Sequence, residues 1–286
     1  MNFIAEDPDA LPGRRYPQVM DRSAHPAVTH VEHGGLRGRL YESKQRGGNP
    51  DGGTPTFVLV HGIGVSHRYL ARLHRALSLS ADTYSIDLPG FGGTPKPKKQ
   101  LSVEDYTAFI LAVLDDAGVD GNCVFVGHSM GTQFAVEAAN QDPARFSHIV
   151  LMGPVVDPKR RRLFRQAWDL LRDGVGAESL TSNWIVFTDY IRCGPRWYLK
   201  ELPVMLDYPI EERVADVRAP VLVVRGALDP VAKEDWCRRL AARSAGRLVQ
   251  IPGCGHVVQH LATEKVAEVI RTFAGLPATA SREIRG

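Results

Sequence analysis

The chain has 286 residues, 44% apolar and 23% charged, with a formal net charge of +3. That length and composition suit a folded core and exclude a disordered protein. The charge is too small to argue for a nucleic-acid partner, and no apolar run reaches the length of a membrane span.

Residues 1–27 read as an irregular, proline-containing leader. The opening "MNFIAEDPDALPGRR" lacks the basic start and apolar centre of a secretory signal, so a cytoplasmic location is expected. The four cysteines, Cys123, Cys193, Cys237 and Cys254, form no CxxC pair and are expected to stay reduced. "VTHVEH" and "LRGRLYES" around Gly34-Gly35 predict a hairpin. "TFVLV" is a short apolar run bounded by turn residues, as in a strand buried on both faces. A helix is predicted over 68–79, then a strand in "TYSID". Ser102 and Asp105 resemble a capping box, ahead of a helix with Tyr106, Phe109, Ile110, Val113 and Leu114 on one stripe.

"CVFVG" predicts a strand, "MGTQFAVEAANQ" a helix and "HIVLMG" another strand. After a break come "PVLVVRG" as a strand, a helix over 231–243, "RLVQI" as a strand, and a last helix carrying Val266, Val269, Ile270 and Phe273. The alternation predicts an α/β fold with a mostly parallel sheet and helices on both faces. Residues 28–154 and 216–275 are assigned to this core, 155–215 to a helical insertion or cap, and 276–286 to a frayed tail.

The chemistry centres on Gly127-His128-Ser129-Met130-Gly131, a G-x-S-x-G between a predicted strand and a predicted helix. A turn that sharp forces the serine toward strained backbone angles, and the flanking glycines avoid clashes. The serine hydroxyl then stands at the sheet's C-terminal edge beside a helix N-terminus, where developing negative charge is favoured. A serine needs a base, and the base needs an acid to fix its tautomer. Asp229 follows the strand "VLVVRG", and His256 follows "LVQI" across Gly253-Cys254-Gly255. Asp157 in "GPVVDP" also follows a strand and is the competing acid.

"HGIG" (61–64), "DLPGFG" (87–92), "GHSMG", "GALDP" and "GCGH" occur in the order of the α/β-hydrolase family, which the chain resembles over roughly 55–153 and 217–272. The resemblance implies a mostly parallel sheet of about eight strands with a helical cap. It implies a triad of Ser129, His256 and Asp229, with the backbone N–H groups of Ile63 and Met130 as the oxyanion hole. No cofactor and no metal are implied. The expected partner is a small-molecule acyl substrate; nucleic acid and membrane are not expected, and the sequence does not set the oligomeric state.

The remaining candidates have plainer readings. His61 is expected to bond backbone near the site and His128 to pack away from the serine hydroxyl. His67 and His74 fit a helix at no metal-ligand spacing, and Asp87 is expected to hold a turn. Phe164, Trp168, Trp184 and Phe187 in the cap are the expected substrate-binding side chains, among further aromatic and apolar residues at Leu171, Tyr190, Trp197, Tyr198 and Met205. The basic run Lys159 to Arg162 reads as a solvated face, or as a site for an anionic substrate group. A serine at the elbow argues against the epoxide- and halide-processing branches, which use aspartate there. Ester cleavage is favoured because "HGIGVS" is shorter than the oxyanion stretch of many C–C hydrolases. Thioesterase, lactonase, perhydrolase, C–C hydrolase, lyase and a silent small-ligand receptor stay open.

Overall fold

The computed structural model describes residues 25–45, 53–158 and 188–277. Eight strands form one sheet in the order β1-β2-β4-β3-β5-β6-β7-β8. The strands are β1 (Ala27–His33), β2 (Leu36–Ser43), β3 (Thr56–Val60), β4 (Thr83–Asp87), β5 (Cys123–His128), β6 (Phe146–Met152), β7 (Val221–Gly226) and β8 (Arg247–Ile251). β1 and β2 pair antiparallel, as do β2 and β4; every other neighbouring pair is parallel. The hairpin turn is Gly34-Gly35 with φ of +57° and +76°, the left-handed geometry that matches strand twist.

The continuously apolar strands serve two cores at once, because successive side chains leave a strand on opposite faces. In β3, Val58 and Val60 join one buried cluster while Phe57 and Leu59 join the other. Helices α1 (His67–Ser78) and α8 (Thr263–Phe273) cover the second face. α2 (Val103–Asp116), α3 (Gly131–Gln141) and α6 (Glu234–Arg243) cover the first. Each fully buried Leu, Ile or Val contributes about 1.5–3 kcal/mol, so the sheet is a rigid platform for the loops at its C-terminal edge.

The predicted capping box forms: the Asp105 N–H donates to Ser102 Oγ at 3.1 Å, and the Ser102 N–H to Asp105 Oδ2 at 2.9 Å. Two differences from expectation lie near the C-terminal loops of the sheet. The helix predicted from Val231 begins at Glu234, because the Val231 and Ala232 N–H groups donate to the Asp229 carboxylate at 2.8 and 2.9 Å. A four-residue helix α7 (Val258–Leu261) precedes α8, with no helical period long enough to reveal it.

Between β6 and β7 the described residues are helical at 188–193, in α4 (Pro195–Asp207) and in α5 (Ile210–Arg213). Several polar contacts fasten this segment to the core, among them those of Asp189 and Gln133. Asp189 accepts from Ser66 Oγ at 2.6 Å and pairs with Arg68 at 3.0 Å. Gln133 Nε2 on α3 donates to the Met205 carbonyl at 2.7 Å. No helix among the described residues is long and apolar enough to cross a membrane.

Candidate active site

Ser129 stands between β5 and α3 with φ at +56°, in the left-handed region that a non-glycine residue rarely adopts. Its neighbours hold it there. The Ser129 N–H donates to the Met152 carbonyl at 2.9 Å, and its own carbonyl accepts from Thr132 N–H at 3.0 Å and Thr132 Oγ1 at 2.6 Å. The flanking glycines are required by contact. A Cβ on Gly127 would come within 2.2 Å of the Gly131 carbonyl oxygen, and one on Gly131 within 2.4 Å of the Val60 carbonyl oxygen. Ser129 is buried, and its Oγ makes no hydrogen bond among the described residues.

Asp229 and His256 arrive on the loops after β7 and β8 and meet: His256 Nδ1 lies 2.9 Å from Asp229 Oδ2. The other carboxylate oxygen accepts the Val231 and Ala232 N–H groups. Burial works to raise the Asp229 pKa, but His256 and the two backbone donors outweigh it and hold the carboxyl below its ordinary range. With the carboxylate on Nδ1, the neutral ring carries its proton there and leaves Nε2 as the basic nitrogen.

A buried arginine supports the acid. Arg225 in β7 donates through Nε to the Ala232 carbonyl at 2.8 Å and through Nη2 to the Ala227 carbonyl at 3.3 Å, with the Asp229 carbonyl at 3.5 Å. Nothing in the strand pattern distinguishes Arg225 from a solvated residue; only its burial among carbonyls does. The competing acid is engaged elsewhere, since Asp157 Oδ1 pairs with Arg239 on α6.

The predicted oxyanion loop borders the serine. A Cβ on Gly62 would approach Ser129 Cβ to 2.8 Å and Oγ to 3.3 Å, which leaves Ile63 one residue from that contact. Met130 is the N-cap of α3. Among the described residues neither the Ile63 nor the Met130 amide donates to a backbone carbonyl. Tyr190 and Tyr198 close over Gly64, where a Cβ would meet them at 2.4 and 3.1 Å.

His61 bridges two loops. The Leu88 N–H donates to its Nε2 at 3.2 Å, so the Nδ1–H points to the Gly62 carbonyl at 2.7 Å. Burial lowers its pKa, consistent with a neutral ring. Asp87 was expected to hold its own turn; its carboxylate instead ties α1 to β2. It accepts the His67 N–H at the start of α1 at 2.6 Å and the Tyr41 hydroxyl at 2.9 Å. His74 bonds Ser85 and Ser43, and no cluster that could hold a metal occurs among the described residues. His128 is buried as expected, but it is hydrogen-bonded to the His256 carbonyl as well as packed against Tyr69. Phe164, Trp168, Trp184 and Phe187, with the basic run Lys159 to Arg162, lie outside the described residues.

An eight-stranded, mostly parallel sheet with a left-handed serine at one strand end and an Asp–His pair at two later ones is the arrangement of a hydrolase platform. The model of the alpha/beta hydrolase family matches residues 57–269, and the chain belongs to that family. It is 26% identical over 274 residues to the dihydrolipoyllysine-residue acetyltransferase component of an acetoin cleaving system from Pseudomonas putida, covering 88% of this chain and 70% of that one. It is 25% identical over 240 residues to a pimeloyl-[acyl-carrier protein] methyl ester esterase from Aromatoleum aromaticum, covering 71% of this chain and 91% of that one. The chain spans only 25%, 30% and 37% of three further curated relatives. An esterase from Rhodococcus sp. ECU1013 shares the fold with a TM-score of 0.73 at 17% identity, over 87% of this chain and 98% of that one.

Proposed function

We propose that the chain is a serine hydrolase that cleaves a carboxylic ester, or a related acyl bond, of a small apolar substrate through an acyl-enzyme. The observation that carries this reading is the 2.9 Å Asp229–His256 contact on loops flanking a serine in left-handed backbone. Ser129 attacks the carbonyl carbon while His256 Nε2 takes the hydroxyl proton. Asp229 keeps the ring oriented and stabilises the imidazolium that forms. The Ile63 and Met130 amides receive the oxyanion, each donor of this kind being worth about 3 kcal/mol in the transition state. His256 then protonates the leaving alkoxide, and water repeats the sequence on the acyl-enzyme. The scheme uses no cofactor. The unbonded Ser129 Oγ fits it, since hydrogen bonds of this kind are often long before substrate binds.

The preference for esters rests on the Aromatoleum relative, which by its name acts on a methyl ester. The preference for an apolar group rests on Tyr190 and Tyr198 over Gly64, aromatic walls of the kind that line ligand pockets. In this reading the segment between β6 and β7 is the cap. All four cysteines are buried thiols, the state the cytoplasm maintains, and we place the reaction there.

The test is turnover of p-nitrophenyl acetate and butyrate together with labelling by a fluorophosphonate. Wild type is expected to hydrolyse both esters and to label at Ser129, and Ser129→Ala to do neither. Full turnover by Ser129→Ala, or absence of labelling in wild type, overturns the reading.

A further inference from the structure

The residue before the candidate nucleophile touches the candidate base. His128 is the last residue of β5 and fully buried. Its Nε2 lies 3.0 Å from the main-chain carbonyl oxygen of His256. A carbonyl only accepts, so Nε2 carries the proton and Nδ1 is the acceptor. The Tyr69 hydroxyl, from the first turn of α1, lies 3.1 Å from Nδ1 and 3.2 Å from Nε2. A hydroxyl almost equidistant from both ring nitrogens lies along neither lone pair, so it packs against the ring without selecting a tautomer. The carbonyl selects it, because the other tautomer would turn a lone pair on Nε2 toward the carbonyl oxygen.

The two imidazoles pack edge to face, with centroids 4.9 Å apart. They share one glycine as a wall: a Cβ on Gly153 would meet His256 Cε1 at 3.1 Å and His128 Nε2 at 3.4 Å. Burial, and then the neighbouring His256, push the His128 pKa down to about 3. His128 thus stays neutral when His256 takes a proton, and does not repel the imidazolium as a second cation would.

We propose that His128 is a positioning residue, whose Nε2–H anchors the main chain of His256. The strand end that presents the serine thereby also places the base. Side-chain contact with Asp229 fixes one end of the His256 imidazole, and the His128 bond fixes the backbone from which the ring hangs. The proposal rests on the serine-hydrolase reading for its catalytic consequence, though not for the anchoring itself.

The variants to compare are His128→Phe and His128→Gln. Phenylalanine fills the ring's space without the hydrogen bond to His256. Displacement of the base by about 1 Å costs about 10²-fold, and it is expected in kcat with KM unchanged, the mark of an interaction used in the transition state. Glutamine sets an amide N–H near the place of Nε2 and is expected to recover most of the loss. Two measurements do not depend on turnover: the downfield proton NMR signal of the His256 Nδ1–H bonded to Asp229, and the nitrogen shifts that report the His128 tautomer.

Loss or broadening of the downfield signal in His128→Phe, with retention in His128→Gln, supports the anchor. A folded His128→Phe with wild-type kcat and an unchanged signal overturns it, as does a His128→Gln no better than His128→Phe. If His128→Phe does not fold, wild type decides: nitrogen shifts that place the His128 proton on Nδ1 overturn the proposal. If wild type hydrolyses no ester, the hydrolase reading fails, and the two NMR signals still decide the anchor.

Discussion

The loops after β6 and β7 each carry a buried aspartate just beyond a strand end, Asp157 at 4% and Asp229 at 2% exposure. They end up doing different work. Asp157 closes an ion pair with Arg239, which also reaches Glu211 at 3.5 Å and Asp235 at 3.3 Å. Asp229 faces a histidine and two backbone N–H groups. A guanidinium keeps its charge at any working pH, so a carboxylate bound to it serves as a structural clamp. An imidazole exchanges protons near neutrality, so a carboxylate bound to it can govern proton transfer. The partner, more than the burial or the position after a strand, separates the two roles.

The sharpest break of this comparison is substitution by asparagine at each site. Asp229→Asn is expected to lower kcat by about 10⁴-fold, because the amide admits the wrong histidine tautomer. Ester hydrolysis under saturating substrate measures it, and an equal loss in Asp157→Asn would erase the distinction. Asp157→Asn is expected instead to leave kcat near wild type and to cost about 1–3 kcal/mol of stability, read as a lower denaturation midpoint with an unchanged slope.

A third buried carboxylate sharpens the rule. Glu201 on α4 is fully buried, and among the described residues its one hydrogen bond is from the neutral hydroxyl of Tyr106 at 3.1 Å. Burial, opposed by Tyr106 and Lys200, raises its pKa to about 7. The unfolded chain releases this proton in the ordinary carboxylate range, whereas the folded chain holds it to about pH 7. Folding therefore loses stability as pH rises through that window, and the loss is complete above it. Glu201→Gln is expected to match wild type near pH 5 and to exceed its Tm by a widening margin up to pH 8. A margin independent of pH would show that Glu201 stays charged, and that burial without a cationic partner does not neutralise a carboxylate here.

Much of the platform was legible in residue order. The apolar runs, the Gly34-Gly35 hairpin and the Ser102–Asp105 capping box are local patterns with local causes, and they appear where they were read. The elbow glycines were legible too, although the reason for Gly131 is the Val60 carbonyl of the neighbouring strand rather than the turn alone. Helix α6 begins three residues later than its periodicity suggests, because Asp229 takes the N–H groups of Val231 and Ala232. Arg225, Tyr69 and Asp189 were invisible as site-supporting residues. An arginine in a strand, a tyrosine on an amphipathic helix and an aspartate in an aperiodic segment each have an ordinary exposed or core reading.

Residue order by itself determined the fold class, the order of the five motif loops and which serine and histidine they carry. These follow from side-chain periodicity and from turns that only certain residues tolerate, both of which act over a few positions. Tertiary structure alone decided which of two aspartates meets His256, which carbonyls Arg225 gathers, and that His128 leans on the backbone of a residue 128 positions away. Those contacts join loops brought together by strand order in the sheet, and hydrogen bonds that select a tautomer or a charge state act over about 3 Å, a distance that spacing along the chain does not encode.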